Sequence, residues 1–323
     1  MKAFLLILCQ GLGLALFAYG PFVDCARADV RVCIVDQDGA PVPDANVSLV
    51  FFTAPSRSEV YKGVSDRTGS FSAAGDCNGE LSVVVRKDGF FTTRRKVPFR
   101  TCTDAAIEKT RAWSNGTVES RILLKRIREP VRAVRHWDPV KRAMDYPATN
   151  VVMGFDVEMN AWCAPYGEGA HDDFQFRYEA GEGTGGSETC FARLTVSMTN
   201  RLDGFYFARM DTESFFKYPE QAMNNANFQK TLCWEYRRER SKVVVAHDPP
   251  SDKCLVFRTR TEVDDKGELV SAHYGYLGEK VSFETGLGIL SVFNPTANDV
   301  RLEDCGAVED FLRRERIRWK IRE

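Results

Sequence analysis

The strongest constraint in this sequence is a rhythm. Short runs alternate apolar and polar residues and are cut, at roughly 8–12-residue spacing, by turn-forming residues. Val30, Val32 and Ile34 alternate with Arg31, Cys33 and Val35, and Asp38-Gly39-Ala40-Pro41 follows as a turn. Val47, Leu49 and Phe51 alternate next, and Asp66-Arg67-Thr68-Gly69 links a strand over 61–65 to Phe71. Leu81 to Val85 and Phe91 to Phe99 read as a hairpin closed at Asp88-Gly89. A period of two sends successive side chains to opposite faces, as a half-buried strand requires and a helix forbids. The rhythm resumes after about residue 150, at Phe174-Phe176-Tyr178, 191–198, 242–246, 255–261 and 287–293. The fold class expected is mainly β: an N-terminal antiparallel β-sandwich followed by a second, mostly β domain. A helix is expected near Thr212–Asn225, interrupted by Pro219. Residues 308–322 fit either a helix or a strand, since Val308, Phe311, Leu312 and Trp319 suit one period and Ile317, Trp319 and Ile321 the other.

The amino terminus reads as an export leader. Lys2 precedes an apolar stretch over 4–17, Gly20-Pro21 breaks it, and Ala26-Arg27-Ala28 offers the small-x-small pattern of a leader peptidase. Cleavage is expected before Asp29, with an uncleaved anchor as the alternative. The expected layout is a leader at 1–28, a sandwich at 29–128, a solvated Arg- and Lys-rich linker at 129–149, and a β-rich domain at 150–323. Export makes the protein periplasmic or secreted, with no membrane span once the leader is gone. Lys and Arg total 44 against 45 acids, so no net field draws nucleic acid or an anionic membrane. The basic residues after Leu312 offer at most a local contact with an anionic envelope surface, and packing on the second domain is the simpler reading.

Ten cysteines are present, and loss of 1–28 removes Cys9 and Cys25. An even set in an exported chain fits a disulfide framework. Folding the 81–99 hairpin about Asp88-Gly89 brings Cys77 within reach of Cys102, so a Cys77–Cys102 bond is expected. The spacings hold no C-x-x-C, and zinc is not expected.

Several segments resemble a known family. Val35-Asp36-Gln37-Asp38-Gly39-Ala40-Pro41-Val42-Pro43-Asp44-Ala45-Asn46-Val47 is similar to the opening of carboxypeptidase regulatory-like domains, which have a transthyretin-like sandwich. Ser65-Asp66-Arg67-Thr68-Gly69-Ser70-Phe71 and Lys87-Asp88-Gly89-Phe90 add to the likeness over 29–125. The resemblance implies a fold more than an activity, because such sandwiches accompany many partners. The second half, at Gly154 to Glu158, Trp162 to Gly169, Tyr274 to Gly278 and Asn294 to Asp299, resembles uncharacterised exported bacterial proteins carrying the same sandwich. No chemistry transfers from them.

Catalytic signatures are missing from the sequence. None of His136, His171, His247 and His273 has a Glu three residues on, so the zinc carboxypeptidase motif is absent. Gly181-Glu182-Gly183-Thr184-Gly185-Gly186 has the spacing of a dinucleotide loop, but the residues after it alternate as a strand, so a hairpin loop is expected. No cofactor and no metal are expected. Trp162 to Asp173 is the most site-like segment, with Trp162, Tyr166, His171, Asp172 and Asp173 as ligand-binding candidates. Aromatic faces stack on sugar C–H faces, and carboxylates accept from hydroxyls. Asp172 with Asp173 also has the chemistry of a Ca²⁺ site, and the plainest alternative is a core Trp162 beside a structural turn. The expected function is an exported, non-catalytic binding or structural module, with carbohydrate the leading ligand class. A glycan-directed hydrolase with its site in 150–300, or an envelope scaffold binding proteins, stands as the alternative.

Overall fold

A computed structural model describes residues 25–54, 57–98, 110–113, 117–136, 143–182, 189–239, 242–246, 252–278, 281–283 and 286–320. The chain divides into two compact units. One runs to Arg126 and takes in Glu213–Phe215; the other comprises Ile127–Thr212 and Phe216–Glu323.

The first unit contains β1 (Ala26–Val35), β2 (Asn46–Ala54), β3 (Arg57–Val64), β4 (Ser70–Cys77), β5 (Glu80–Arg86), β6 (Thr93–Pro98) and β7 (Val118–Leu123). They form two sheets, β4-β1-β7 and β3-β2-β5-β6. Alternation builds the core between them. Val30, Val32 and Ile34 of β1 are buried with Val47, Leu49 and Phe51 of β2 and Leu81, Val83 and Val85 of β5. Among the described strands the pairings are antiparallel except β1 with β7, which run parallel with Val30 beside Val118. The expected 81–99 hairpin is present as β5 and β6, with Val85 opposite Thr93.

One turn device recurs in both units. Asp36, Asp66 and Asp264 each accept two backbone N–H bonds from residues two and four ahead, at 2.8–3.0 Å. In each case the glycine three residues on donates back to the Asp carbonyl. Those glycines, Gly39, Gly69 and Gly267, have φ of 80°, 73° and 79°, a region that costs a side-chain-bearing residue steric strain. The Asp supplies the local bonds and the Gly the backbone reversal, so D-x-x-G ends one strand and starts the next.

The second unit contains β8 (Val134–His136), β9 (Val152–Asp156), β10 (Ala161–Trp162), β11 (Phe174–Glu182), β12 (Thr189–Ser197) and β13 (Gly204–Arg209). β14 (Thr231–Glu239), β15 (Lys242–Ala246), β16 (Lys253–Val263), β17 (Leu269–Leu277), β18 (Ser291–Asn294) and α1 (Cys305–Lys320) complete it. Six strands order as β10-β9-β11-β12-β14-β15 and five as β13-β16-β17-β18-β8. Phe155, Phe174, Phe176, Leu194 and Val196 of the first sheet pack on Phe205, Leu255, Phe257 and Phe293 of the second. The five-stranded sheet is buried on its other face as well, through Tyr206, Val256, Tyr274, Tyr276 and Val292. Two buried faces explain the unbroken apolar run Leu255-Val256-Phe257, where alternation disappears.

That second face accounts for a departure from the sequence reading. No helix forms over 212–225; the segment is a series of turns and isolated bridges. Phe216 and Ala222 are buried, and the Tyr218 ring stacks on Tyr276 at 4.2 Å. An irregular backbone places these anchors over the sheet, and Pro219 denies a helix its hydrogen bond. Glu213–Phe215 meanwhile belong to the first unit. Arg94 N donates to Glu213 O and Phe215 N to Thr92 O, while Phe215 stacks on Phe91 at 6.5 Å. The stretch expected as a solvated linker also differs. It supplies β8, paired to β18, and a buried Val131 whose N bonds Glu303 O. The carboxyl-terminal ambiguity resolves as helix, with Val308 and Phe311 turned inward. The glycine-rich loop falls largely outside the described residues, but β11 and β12 on either side of it are antiparallel neighbours.

No disulfide joins two described cysteines. Cys77 is buried at the end of β4, where burial pushes its thiol up to about 11. Cys102, its expected partner, lies outside the described residues.

Candidate functional site

The 162–173 segment runs from β10 to β11, against the edge of the six-stranded sheet. Its centre is an aspartate the sequence reading did not single out. Asp156 is wholly buried and spends both oxygens on backbone amides. One accepts from Glu158 N and Met159 N at 2.9 Å, the other from Ala170 N at 2.9 Å and His171 N at 3.0 Å. Burial alone would raise its pKa. The amides of Met159, His171 and Ala170, with the charge of Arg260, outweigh burial and hold the carboxyl below its ordinary range. Asp156 thus ties the end of β9 to the far end of the loop.

Asp173 is the second buried carboxylate, 2% exposed. Arg260 grips it from both sides, Nε to Oδ1 and Nη2 to Oδ2, each at 2.9 Å. Thr259 Oγ1 and Val157 N complete its shell at 3.0 and 3.1 Å. Arg260 also reaches Glu158 at 2.6 Å and Asp156 at 3.4 Å. Its guanidinium lies 4.7 Å above the Phe293 ring, a favourable place for a cation. Burial would lower the Arg260 pKa, but Asp173 and Glu158 raise it. The result is one guanidinium knotted to three carboxylates.

A backbone irregularity aims this arginine. The β16–β17 register shifts between Thr259 and Glu262, and Arg260 sits at φ 53°, which costs an L-residue about 1–2 kcal/mol. Such a bulge redirects a side chain that regular pleating would place elsewhere. In sequence Arg260 is one more polar residue in an alternating run, and nothing there marks the bulge.

The candidates divide into inner and outer groups. Trp162 is 8% exposed and belongs to the core. Its ring meets Phe155 at 5.3 Å, Phe176 at 5.9 Å and Tyr146 at 6.1 Å, and its Nε1 donates to Asp145 O. Asp173 is held in the Arg260 knot, with both oxygens engaged. Tyr166, His171 and Asp172 are exposed, Tyr166 at 38%. Asp172 accepts from Gln175 Nε2 at 2.8 Å.

Tight backbone contacts fix the loop that carries the outer group. Tyr166 N donates to Cys163 O, and Gly169 N to Trp162 O. A Cβ on Gly167 would fall 2.3 Å from Trp162 O, so the chain passes there only without a side chain. Cys163, whose Sγ contacts His171 O at 3.3 Å, is held up to about 11 by burial, with Asp172 adding to the shift. Among the described residues no group of three or more His, Cys, Asp or Glu is arranged to hold a metal ion. His136 and His273 bond backbone carbonyls, at Glu158 and Asn294.

No protein-family model matches the chain, and no curated protein matches it. Several solved structures are similar. One is 3-chlorocatechol 1,2-dioxygenase from Rhodococcus opacus 1CP, at 14% identity and TM-score 0.24, over 31% of this chain and 60% of the enzyme. This chain therefore spans less than two thirds of that enzyme's length. BcpA, the major pilin subunit of Bacillus cereus, is similar at 10% identity and TM-score 0.24, over 86% of this chain and 69% of BcpA. A streptococcal ancillary pilin is similar at 11% identity and TM-score 0.22, over 86% and 62%. With scores this low, activity, ligand and assembly rest on the chain's own residues.

Proposed function

We propose that this chain is an exported, non-catalytic binding or structural module that presents the 163–172 loop to its ligand, with carbohydrate as the ligand class. One observation carries the reading. A closed ionic knot beneath the loop fixes its backbone, while Tyr166, His171 and Asp172 stay open to solvent above it. Rigid support beneath an exposed aromatic and polar rim is what a preformed recognition loop needs. Tyr166 supplies a stacking face and Asp172 acceptors for hydroxyls. Two features weigh against the hydrolase alternative in this region. Asp156 and Asp173 are closed in by backbone amides and Arg260, and neither is poised as a proton donor to an outside group. For the first unit, its two sheets and its Asp36 and Asp66 turns support the carboxypeptidase regulatory-like reading.

A glycan array on the folded protein tests the proposal, compared with a Tyr166→Ala/His171→Ala/Asp172→Asn variant. Trp162 is left intact, because its loss would open the core. Binding that vanishes in the variant supports both ligand class and surface. Binding kept in the variant moves the surface elsewhere. No binding to any glycan refutes the carbohydrate assignment, and pull-down from envelope extracts then tests the scaffold alternative.

A further inference from the structure

The small-x-small motif Ala26-Arg27-Ala28 is part of the sandwich. β1 begins at Ala26 and lies in the middle of its sheet, with β4 on one side and β7 on the other. Ala26, Arg27 and Ala28 pair with Cys77, Asp76 and Gly75 of β4. On the opposite edge, Arg27 N donates to Arg111 O at 2.9 Å and Trp113 N to Arg27 O at 3.0 Å. Ala26 and Ala28 are 3% and 1% exposed, and the strand's burial alternates without a break from Ala26 to Val35. Trp113, itself buried, donates Nε1–H to Cys77 O at 2.6 Å. Residues 26, 77 and 113 therefore close one corner of the core.

Hydrolysis before Asp29 would delete this corner. It would leave the 75–77 end of β4 without its partner strand and strip two backbone bonds from 111–113. Buried N–H and C=O groups without partners are costly, and among the described strands β1 is the one paired with that end of β4.

We infer that the working protein retains Ala26–Ala28, and that leader removal hydrolyses the Cys25–Ala26 bond or one preceding it. Water adds across the scissile amide, leaving a carboxylate on the leader and an ammonium on the mature chain. Cut at Cys25–Ala26, the bond is flanked by the small Cys25, with Val23 two residues before it, so it presents a compact pattern to a peptidase selecting small side chains. The new ammonium then falls at the start of β1 and removes none of its paired residues.

The test is intact mass and amino-terminal sequencing of protein exported from the full-length gene. An amino terminus at Ala26, or at an earlier residue left by leader removal, supports the inference, and a chain that keeps its whole leader overturns the cleavage it states. One at Asp29, or at any residue after Ala26, overturns it. A second measurement compares chains produced to begin at Ala26 and at Asp29. The Asp29 start should melt at least about 4 °C lower, the effect of roughly one lost net hydrogen bond in a unit this size. Equal melting of the two would also overturn the inference, since the three residues would then contribute nothing to the fold.

Discussion

Replacing Arg260 by Met should be among the most damaging single changes in the second unit. The methionine chain can retain packing over Phe293 but removes the one cation paired, among the described residues, with Asp173, which is 2% exposed, and one of the groups compensating the wholly buried Asp156. Breaking a buried ion pair from one side costs about 3–5 kcal/mol, because the remaining charge is left desolvated. Asp156 keeps four backbone amides, so most of the cost falls on Asp173, which among the described residues keeps Thr259 Oγ1 and Val157 N. Relief of the left-handed backbone does not offset it, since Met is as strained there as Arg. For a unit of this size the loss corresponds to a fall in Tm of about 6–20 °C. Urea unfolding at neutral pH, followed by tryptophan fluorescence, measures it. Adding Asp173→Asn to Arg260→Met should recover part of the loss, since it removes the stranded charge. A single variant within about 1 kcal/mol of the parent, or strict additivity in the double variant, would refute the reasoning. The parent should also weaken in acid. Asp156 is held below its ordinary value in the fold, so its contribution is present above the unfolded value near 4 and is lost as pH falls through the depressed one.

Asp203 should behave with the opposite sign. It is 3% exposed, and burial raises its pKa despite hydrogen bonds from Thr261. Folding therefore favours its protonated form, and stability conferred below the unfolded value near 4 is lost as pH rises through the raised one. Asp203→Asn, which retains an acceptor for Thr261 N, should gain on the parent with rising pH in paired urea titrations; a constant difference from pH 3 to 7 would count against this. In the first unit, Gly69→Ala should cost about 2 kcal/mol or more, through positive φ and a Cβ only 2.4 Å from Ile34 O. A midpoint shift without a change in the denaturant slope reads this directly, and an unchanged midpoint would show that the turn re-forms another way.

How much could be read in advance depends on the range of the forces involved. The D-x-x-G turns at 36–39 and 66–69, the alternation of β1, β2 and β5, and the β5–β6 hairpin are set by residues within a few positions of one another. Backbone sterics and a period of two express them in the sequence. The 162–173 segment was likewise visible as a cluster of aromatic, glycine and acidic residues. Which members face outward was not visible, because Trp162 is equally at home on a sugar-binding surface and in a core.

Long-range packing decided the remainder. Arg260 meets Asp173 across 87 positions of chain, by way of a bulge with no local signature. Glu213–Phe215 joins the first unit from the second half because the edge of β6 offers it partners. The 212–225 segment gives up a helix because a sheet with two apolar faces needs a cover. The sequence by itself determined the class of fold, its turns and its surface-prone loop, since those follow from neighbours in the chain. Tertiary structure alone decided which charges pair, which edges are extended and where β1 begins, since buried groups take partners by position in space.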